Sequence, residues 1–186
     1  MTFLDSNGPT RKDLQNLMGA MFFMGIATFM PPYMMTNLTF QVERPVFLRE
    51  QANKMYDVLP YYMAKLLSDV PGFLIVPTIY TLIVYWAVGY TRSVEQFFSF
   101  ALMSILNTLC ALSLGYFISS SIPSPVAALQ LAPIIAMPLI LVGGMYINQD
   151  SMPIYIEVFS YCSPVQYVFN AYAKIEFENS EYPQAK

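Results

Sequence analysis

The sequence predicts an all-α integral membrane protein, and three observations support this fold class: the composition, the spacing of the charged residues and the position of the prolines. Of the 186 residues, 56% are apolar and only 11% are charged. A soluble domain carries about 25% charged residues, so this chain cannot cover a water-facing surface without large apolar patches. The net charge of -3 gives no positive field for nucleic acid. A soluble globular protein and a nucleic-acid-binding protein are therefore excluded.

The charge-free segments predict four membrane spans. Charged residues are absent over 14–42, 70–91 and 96–149, and a spanning helix needs about 20 predominantly apolar residues. The first two segments each hold one span. The third would make one helix of about 80 Å, so the serines and prolines of 119–125 are expected to divide it in two. The predicted spans are about 16–40, 70–90, 97–118 and 126–147.

The lysines and arginines predict the orientation of these spans. The loop after the first span holds Arg44, Arg49, Lys54 and Lys65, whereas the next two loops together hold only Arg92. Cytoplasmic loops carry the excess of Lys and Arg. We therefore expect the first loop in the cytosol and the C-terminal tail on the other side of the plasma membrane or of an organelle membrane.

The segment 152–173 is apolar only in part. It carries Glu157, Pro164 and several tyrosines, which is a composition typical of a membrane interface rather than of a spanning helix. We expect an interfacial or re-entrant helical segment here, on the external side.

Prolines interrupt the predicted spans. Pro31 and Pro32 lie in the middle of the first span, and further prolines lie in the second and fourth spans. Each of them removes a backbone hydrogen bond and kinks a helix. Broken backbone inside a membrane survives where protein or a water-filled cavity surrounds it. Two interpretations stay open: the walls of a substrate cavity, or prolines in ordinary helix packing.

The residues needed for most catalysis are missing. The chain has no histidine, and its two cysteines, Cys110 and Cys162, lie far apart. A Ser-His-Asp triad, a histidine–metal cluster and a CxxC motif are therefore excluded. No Asp, Glu, Lys, Arg or His lies within a predicted span, although proton-coupled carriers usually place one there. We expect no catalytic residue, no metal site and no enzyme activity of this chain by itself, and an intramembrane lipid hydrolase is disfavoured because hydrolysis needs a positioned base.

The charged segment 43–58 between the first two spans is predicted to form a helix along the inner membrane surface. On a helix, Phe47, Met55 and Leu59 fall near one face, and Arg49 lies elsewhere. Two interpretations fit this composition: a helix that presents its charges to a soluble partner, or a membrane-surface helix without a partner.

A series of short motifs runs along the chain from about residue 15 to residue 178. They are ERPVFLRE at 43–50, MY at 55–56, YYMAKLLSDVP at 61–71, YWAVGY at 85–90, GGMYIN at 143–148, YCSP at 161–164 and EF at 176–177. Each motif is weak alone, but the ordered set resembles the membrane domain of the G subfamily of ABC transporters, the white-pigment and pleiotropic-drug-resistance type.

The resemblance implies a structure and roles for particular residues. The four spans would be the second to fifth helices of a six-helix exporter domain, with 152–173 as the external re-entrant segment. The segment 43–58 would be the coupling helix, which docks on an ABC nucleotide-binding domain. The implied coupling residues are Glu43, Arg44, Phe47, Arg49, Glu50 and Tyr56. The implied substrate-cavity residues are Phe29, Met30, Pro133 and Met137, and the implied plug residues are Met145 and Tyr146, where the family has two leucines.

By this resemblance, the chain is expected to be the permease part of an ATP-driven exporter of an amphipathic or lipid-like substrate. It contains no GxxxxGK(S/T) phosphate loop, so ATP and Mg²⁺ would bind to a partner nucleotide-binding domain, in the same longer chain or in a separate one. Membrane lipid and a second transporter half, identical or different, would be the other partners. The family's first and sixth helices are missing, which leaves one alternative: a truncated, non-transporting subunit or regulator that dimerises with intact transporters.

Overall fold

The computed structural model describes residues 11–88, 90, 94–143 and 161–178, with side chains from 15 to 176 within these ranges. This part of the chain forms five helices and no strand. The helices are α1 (Arg11–Ala52), α2 (Val58–Val88), α3 (Val94–Ser121), α4 (Pro125–Leu141) and α5 (Pro164–Glu178). The all-helical class expected from the sequence is confirmed for these residues.

Three of the helices are long and apolar enough to cross a membrane, judged by length and composition: α1 from Gln15 onward, α2 and α3. Helix α4 has 17 residues, which is about 25 Å and less than the hydrocarbon thickness of about 30 Å. The described residues therefore give three span candidates. The fourth predicted span, 126–147, continues past α4 into residues outside the described part. Of the segment 152–173, residues 152–160 also lie outside the described part, and residues 161–173 include the start of α5.

Helix α1 differs from the expected arrangement of a span followed by a separate surface helix over 43–58. Residues 43–52 continue α1 without a break, and a turn over 53–57 leads into α2. The helix ends because Lys54 adopts the left-handed region, with φ of 52°. The N–H of Met55 then donates to the carbonyl oxygen of Glu50 at 3.2 Å, as in a Schellman C-cap. Side-chain contacts with α2 and α3, described below, hold the extension of α1 in place.

The prolines inside α1 do not interrupt it, although each removes a backbone N–H. Helix α1 is continuous through Pro31 and Pro32. The carbonyl oxygen of Thr28, four residues before Pro32, accepts a hydrogen bond from Thr108 Oγ1 of α3 at 3.1 Å. A side chain of the neighbouring helix thus replaces the bond that proline removes, which is how membrane helices tolerate proline.

The apolar core consists of two clusters along α1. One cluster lies between α1, α3, α4 and α5, and the other lies between α1, α2, α3 and α5. The first includes Phe22, Phe29, Tyr33, Ala111, Ala136 and Val165, and the second includes Met21, Met24, Tyr85, Phe100 and Tyr172. Helix α1 is therefore the central element of the bundle.

Small residues allow α1, α3 and α4 to approach one another closely. A Cβ added to Gly115 of α3 would lie 3.0 Å from the carbonyl oxygen of Tyr33 on α1. Ala128, Ala132 and Ala136 are fully buried along one face of α4, and the hydroxyl of Tyr33 donates to the carbonyl oxygen of Ala132 at 2.9 Å. Small residues at helix interfaces are typical of membrane proteins, because close packing replaces the hydrophobic driving force.

A layer of buried polar side chains joins α1, α2, α3 and α5. Ser104 of α3 accepts a hydrogen bond from Thr81 of α2 at 2.8 Å and shares one of 2.6 Å with the hydroxyl of Tyr172 on α5. One turn further along α3, Asn107 Nδ2 donates to Thr28 Oγ1 of α1 at 2.9 Å. These bonds fix the register of four helices at one level of the bundle.

Candidate functional site

An ion cluster joins the C-terminal part of α1 to the first turns of α2. The ammonium of Lys65 lies 2.6 Å from Glu43 Oε1 and 3.2 Å from Asp69 Oδ2. The side chains of Lys65 and Asp69 are 11% and 18% exposed, whereas that of Glu43 is 40% exposed. Tyr116 of α3 donates its hydroxyl to Asp69, so three helices meet here. One ammonium is shared between two carboxylates, which gives the three groups one net negative charge.

Three aromatic rings pack beside the ion cluster. The ring centroids of Phe47 and Tyr61 are 4.4 Å apart, and those of Tyr56 and Tyr61 are 5.9 Å apart and stacked. Tyr61 donates its hydroxyl to Glu43 at 3.4 Å. Tyr56 donates its hydroxyl to the Glu50 carboxylate, and this bond, with partial burial, raises the pKa of Tyr56 to about 12. The turn between α1 and α2 is thereby fixed to both helices.

Side chains of α1 cap the C-terminal end of α3. Gln41 Nε2 donates to the carbonyl oxygens of Ser119 and Ile122, at 2.6 and 3.0 Å. Arg44 Nη1 donates to the carbonyl oxygen of Ile122 at 2.8 Å. The last carbonyls of a helix have no partner within that helix, and a cation beside them is favoured by the helix dipole. A displacement of this part of α1 would therefore move the end of α3 with it.

The ion cluster and the aromatic rings are joined through Tyr61 and Glu43, and together with the cap on α3 they are here called the coupling cluster, after the role expected from the sequence. Its members are Gln41, Glu43, Arg44, Phe47, Glu50, Tyr56, Tyr61, Lys65, Asp69 and Tyr116. Tyr56 joins the turn over 53–57 to α1 and α2. Asp69 and Arg44 in turn join α2 and α1 to α3.

Of the residues expected from the sequence to take part in coupling, four make contacts within the coupling cluster: Glu43, Phe47, Glu50 and Tyr56. Arg44 caps the end of α3, and Arg49 is exposed on α1. Sequence reasoning missed Lys65 and Asp69, although two opposite charges four residues apart on one helix are a readable signal. It also missed Tyr116, for which the sequence holds no signal, because its partner Asp69 lies 47 residues away.

The residues expected to line a substrate cavity differ in their burial within this chain. Phe29 is fully buried and stacks on Tyr33, with ring centroids 5.7 Å apart. Met30 and Pro133 are partly buried, whereas Met137 on α4 is 55% exposed. Within this chain Phe29 is therefore a packing residue between α1 and its neighbours. The expected plug residues Met145 and Tyr146 lie outside the described residues.

A groove of about 630 Å³ lies between α1 and α2. Pro31, Pro32 and Met35 of α1 and Gly72, Val76 and Pro77 of α2 are among the residues that line it. Pro31, Pro32 and Pro77, three of the prolines within the predicted spans, thus border this groove. The expected cavity residues of α4 are not among the residues that line it.

A family model described as ABC-2 type transporter matches residues 1–177. The chain belongs to the ABC-2 type transporter family. Protein white of Ceratitis capitata is 33% identical over 159 residues, which are 85% of this chain and 23% of that protein. ABC transporter G family member 1 of Dictyostelium discoideum is 31% identical over 179 residues, 91% of this chain and 23% of that protein. ABC transporter ATP-binding protein/permease wht-1 of Caenorhabditis elegans is 31% identical over 137 residues, 74% of this chain and 20% of that protein.

These similarities confirm the resemblance to the G subfamily that the ordered motifs indicated. The ABC-2 family match and the apolar helices identify the chain as an integral membrane protein and as a membrane domain, distinct from an ATPase domain. The chain spans less than a quarter of the length of these three relatives.

Proposed function

We propose that this chain is the permease part of an ATP-driven exporter that moves an amphipathic or lipid-like substrate across a membrane. Membership of the ABC-2 family supports the transport role. The observation that carries the proposal is the position of Lys65 between Glu43 and Asp69, because this ion cluster ties α1 to α2 beside the turn that connects them. ATP and Mg²⁺ would bind to an ABC nucleotide-binding domain, in the same longer chain or in a separate one.

In the proposed mechanism, the turn over 53–57 receives the movement of the nucleotide-binding domain when ATP binds. Arg49 and Lys54 are exposed beside this turn and would meet the partner. Phe47 would hold the turn rigidly against α2, and the ion cluster would pass its displacement to α3. The helices would then switch as rigid bodies between inward and outward access. This mechanism places the turn in the cytosol, as the distribution of Lys and Arg predicts.

The finer architecture is also a proposal. It comprises four spans, the re-entrant segment 152–173 and a second transporter half, identical or different. The exposed side chain of Met137 supports an interface on α4, where a central cavity would form between the halves. Pro133 and Met30 would lie beside this cavity, with the buried Phe29 shaping its wall from behind. Met145 and Tyr146 would close it on the external side.

The proposed coupling is tested by measuring ATP hydrolysis and export of a fluorescent lipid analogue by the assembled transporter in membrane vesicles. Phe47→Ala and Glu50→Ala each remove a contact that fixes the turn, and they should lower transport per ATP hydrolysed by about 2- to 30-fold, the range for residues in coupling networks. Val42→Ala, at an exposed position of α1, is the matched control and should leave the ratio unchanged. An unchanged ratio in both test variants contradicts the proposal.

The regulator alternative is not favoured, because the family match is to the membrane domain of transporters. Co-expression of this chain with an intact transporter separates the two functions. A regulator would change the partner's export without adding transport of its own, whereas a permease part requires a nucleotide-binding domain and then supports export.

A further inference from the structure

The groove between α1 and α2 has the dimensions of one membrane leaflet. It extends along α2 from Ser68 to Tyr80, which is about 18 Å at 1.5 Å per residue. The hydrocarbon core of a bilayer is about 30 Å thick, so the groove covers about half of it. Pro31, Pro32 and Pro77 contribute rigid apolar walls, and an apolar body of leaflet length fits between them.

The groove is open at its centre. A Cβ added to Gly72 would meet no atom within 4 Å, whereas one added to Gly115 would lie 3.0 Å from the backbone of α1. The absence of a side chain at position 72 therefore serves no close helix contact among the described residues. It leaves space between the two helices.

One end of the groove is negatively charged. Asp69 is the carboxylate that lines it. The Tyr116 hydroxyl donates to Asp69 but carries no charge, and Lys65 neutralises Asp69 only in part, because the same ammonium lies closer to Glu43, at 2.6 Å against 3.2 Å. The hydroxyls of Thr28 and Thr108, at the side of the groove, are already hydrogen-bonded to the helix backbones. Charge recognition in the groove therefore falls to Asp69.

We propose that this groove binds a cationic amphiphile from the membrane, with its apolar body along the proline walls and its cationic group beside Asp69. Apolar pocket walls with one well-placed charged group are typical of small-molecule sites, and the carboxylate selects a cation over a neutral or anionic head. Binding itself does not depend on ATP, whereas export of the bound molecule rests on the proposed function.

The test uses the protein in lipid bilayers without ATP, so it is independent of the proposed export. The probe is a primary alkyl ammonium with a photoreactive group in its chain, and the comparison probes are the alcohol and the sulfate of the same chain length. After illumination, mass spectrometry locates the label. We expect labelling of 27–35 and 68–80, with half-saturation of the ammonium at a concentration about fivefold below that of the alcohol, the upper value for a partly exposed ion pair. Labelling that is absent, that lies elsewhere or that does not distinguish ammonium from alcohol overturns the proposal.

Three variants separate the two parts of the site. Gly72→Leu fills the open centre and should reduce labelling at least tenfold, whereas Ala87→Leu adds the same side chain at an exposed position of α2 outside the groove and should not. Asp69→Asn keeps the shape and should remove the preference for ammonium over alcohol. If a variant fails to fold, unlabelled ammonium is added to the unmodified protein instead. It should compete with the photoreactive ammonium and reduce labelling of the groove. Full labelling of Gly72→Leu, or a preserved ammonium preference in Asp69→Asn, refutes the assignment.

Discussion

The ion cluster predicts that Lys65→Met destabilises the helix bundle by about 3 kcal/mol. Methionine keeps the apolar stem and removes the ammonium, so the contacts of 2.6 Å to Glu43 and 3.2 Å to Asp69 are both lost. The Glu43 side chain is 40% exposed, so its contact contributes about 1 kcal/mol, the upper value for a screened ion pair. The Asp69 side chain is 18% exposed, so its contact contributes about 2 kcal/mol, within the range for a charged hydrogen bond.

The assay is unfolding of the purified chain in mild detergent by increasing fractions of sodium dodecyl sulfate, followed by the fluorescence of the single tryptophan, Trp86. Lys54→Met is the matched control, because Lys54 is exposed in the turn, and it should change the free energy of unfolding by less than about 0.5 kcal/mol. The reasoning also predicts a rescue. Adding Glu43→Gln and Asp69→Asn to Lys65→Met should restore at least half of the loss, because no carboxylate is then left without its counterion.

Two results would refute this account of the ion cluster. The first is a loss below about 0.5 kcal/mol for Lys65→Met, which is the size expected of an ordinary surface substitution. The second is a triple variant that is less stable than Lys65→Met alone, since the cost would then come from lost packing and not from uncompensated charge.

The helix contacts, the polar layer and the turn lead to further predictions, each checked by the same unfolding assay. Gly115→Ala should destabilise the bundle by about 1–3 kcal/mol, because the new Cβ would lie 3.0 Å from the backbone of α1. Gly72→Ala should stabilise it by about 0.4–1 kcal/mol, because its Cβ meets no atom within 4 Å. If both glycine variants change the free energy of unfolding in the same direction, the packing described is contradicted. Asn107→Ala removes buried hydrogen bonds to α1 and should cost about 2 kcal/mol, and an equal loss for Asn170→Ala, an exposed position of α5, would count against this. Lys54→Gly should stabilise the bundle by about 1 kcal/mol, because glycine accepts a φ of 52° without steric cost. Lys54→Ala keeps the steric cost, so an equal gain in stability from alanine would show that the φ angle is not the cause.

The apolar parts of α1, α2 and α3 could be predicted from the sequence, because the length of an apolar run is a local property. The break expected over 119–125 also lies where α3 ends, at Ser121, and α4 begins, at Pro125. Proline is suited to the first turn of a helix, since the N–H it lacks would have no partner there. Local chemistry therefore decided these boundaries.

The end of α1 could not be predicted in the same way. Residues 43–52 carry charges and Pro45, which suggested a separate surface helix, but their continuation of α1 depends on bonds such as Gln41 to Ser119, 78 residues away. The candidate site shows the same division. Phe47 and Glu50 were found through a local motif, whereas Tyr116 became part of the coupling cluster only through the packing of α3 against α2.

Asp69 belongs both to the coupling cluster and to the groove between α1 and α2, and this shared position has a thermodynamic consequence. A cation beside Asp69 weakens the hold of that carboxylate on Lys65, which leaves Lys65 more strongly paired with Glu43. If a movement of the turn over 53–57 changes the distance between Lys65 and Asp69, the affinity of the groove must change with it. Reciprocity then requires that an occupied groove shift the position of the turn by the same free energy. The arrangement of one lysine between two carboxylates thus links the groove to the end of α1 without any contact between them.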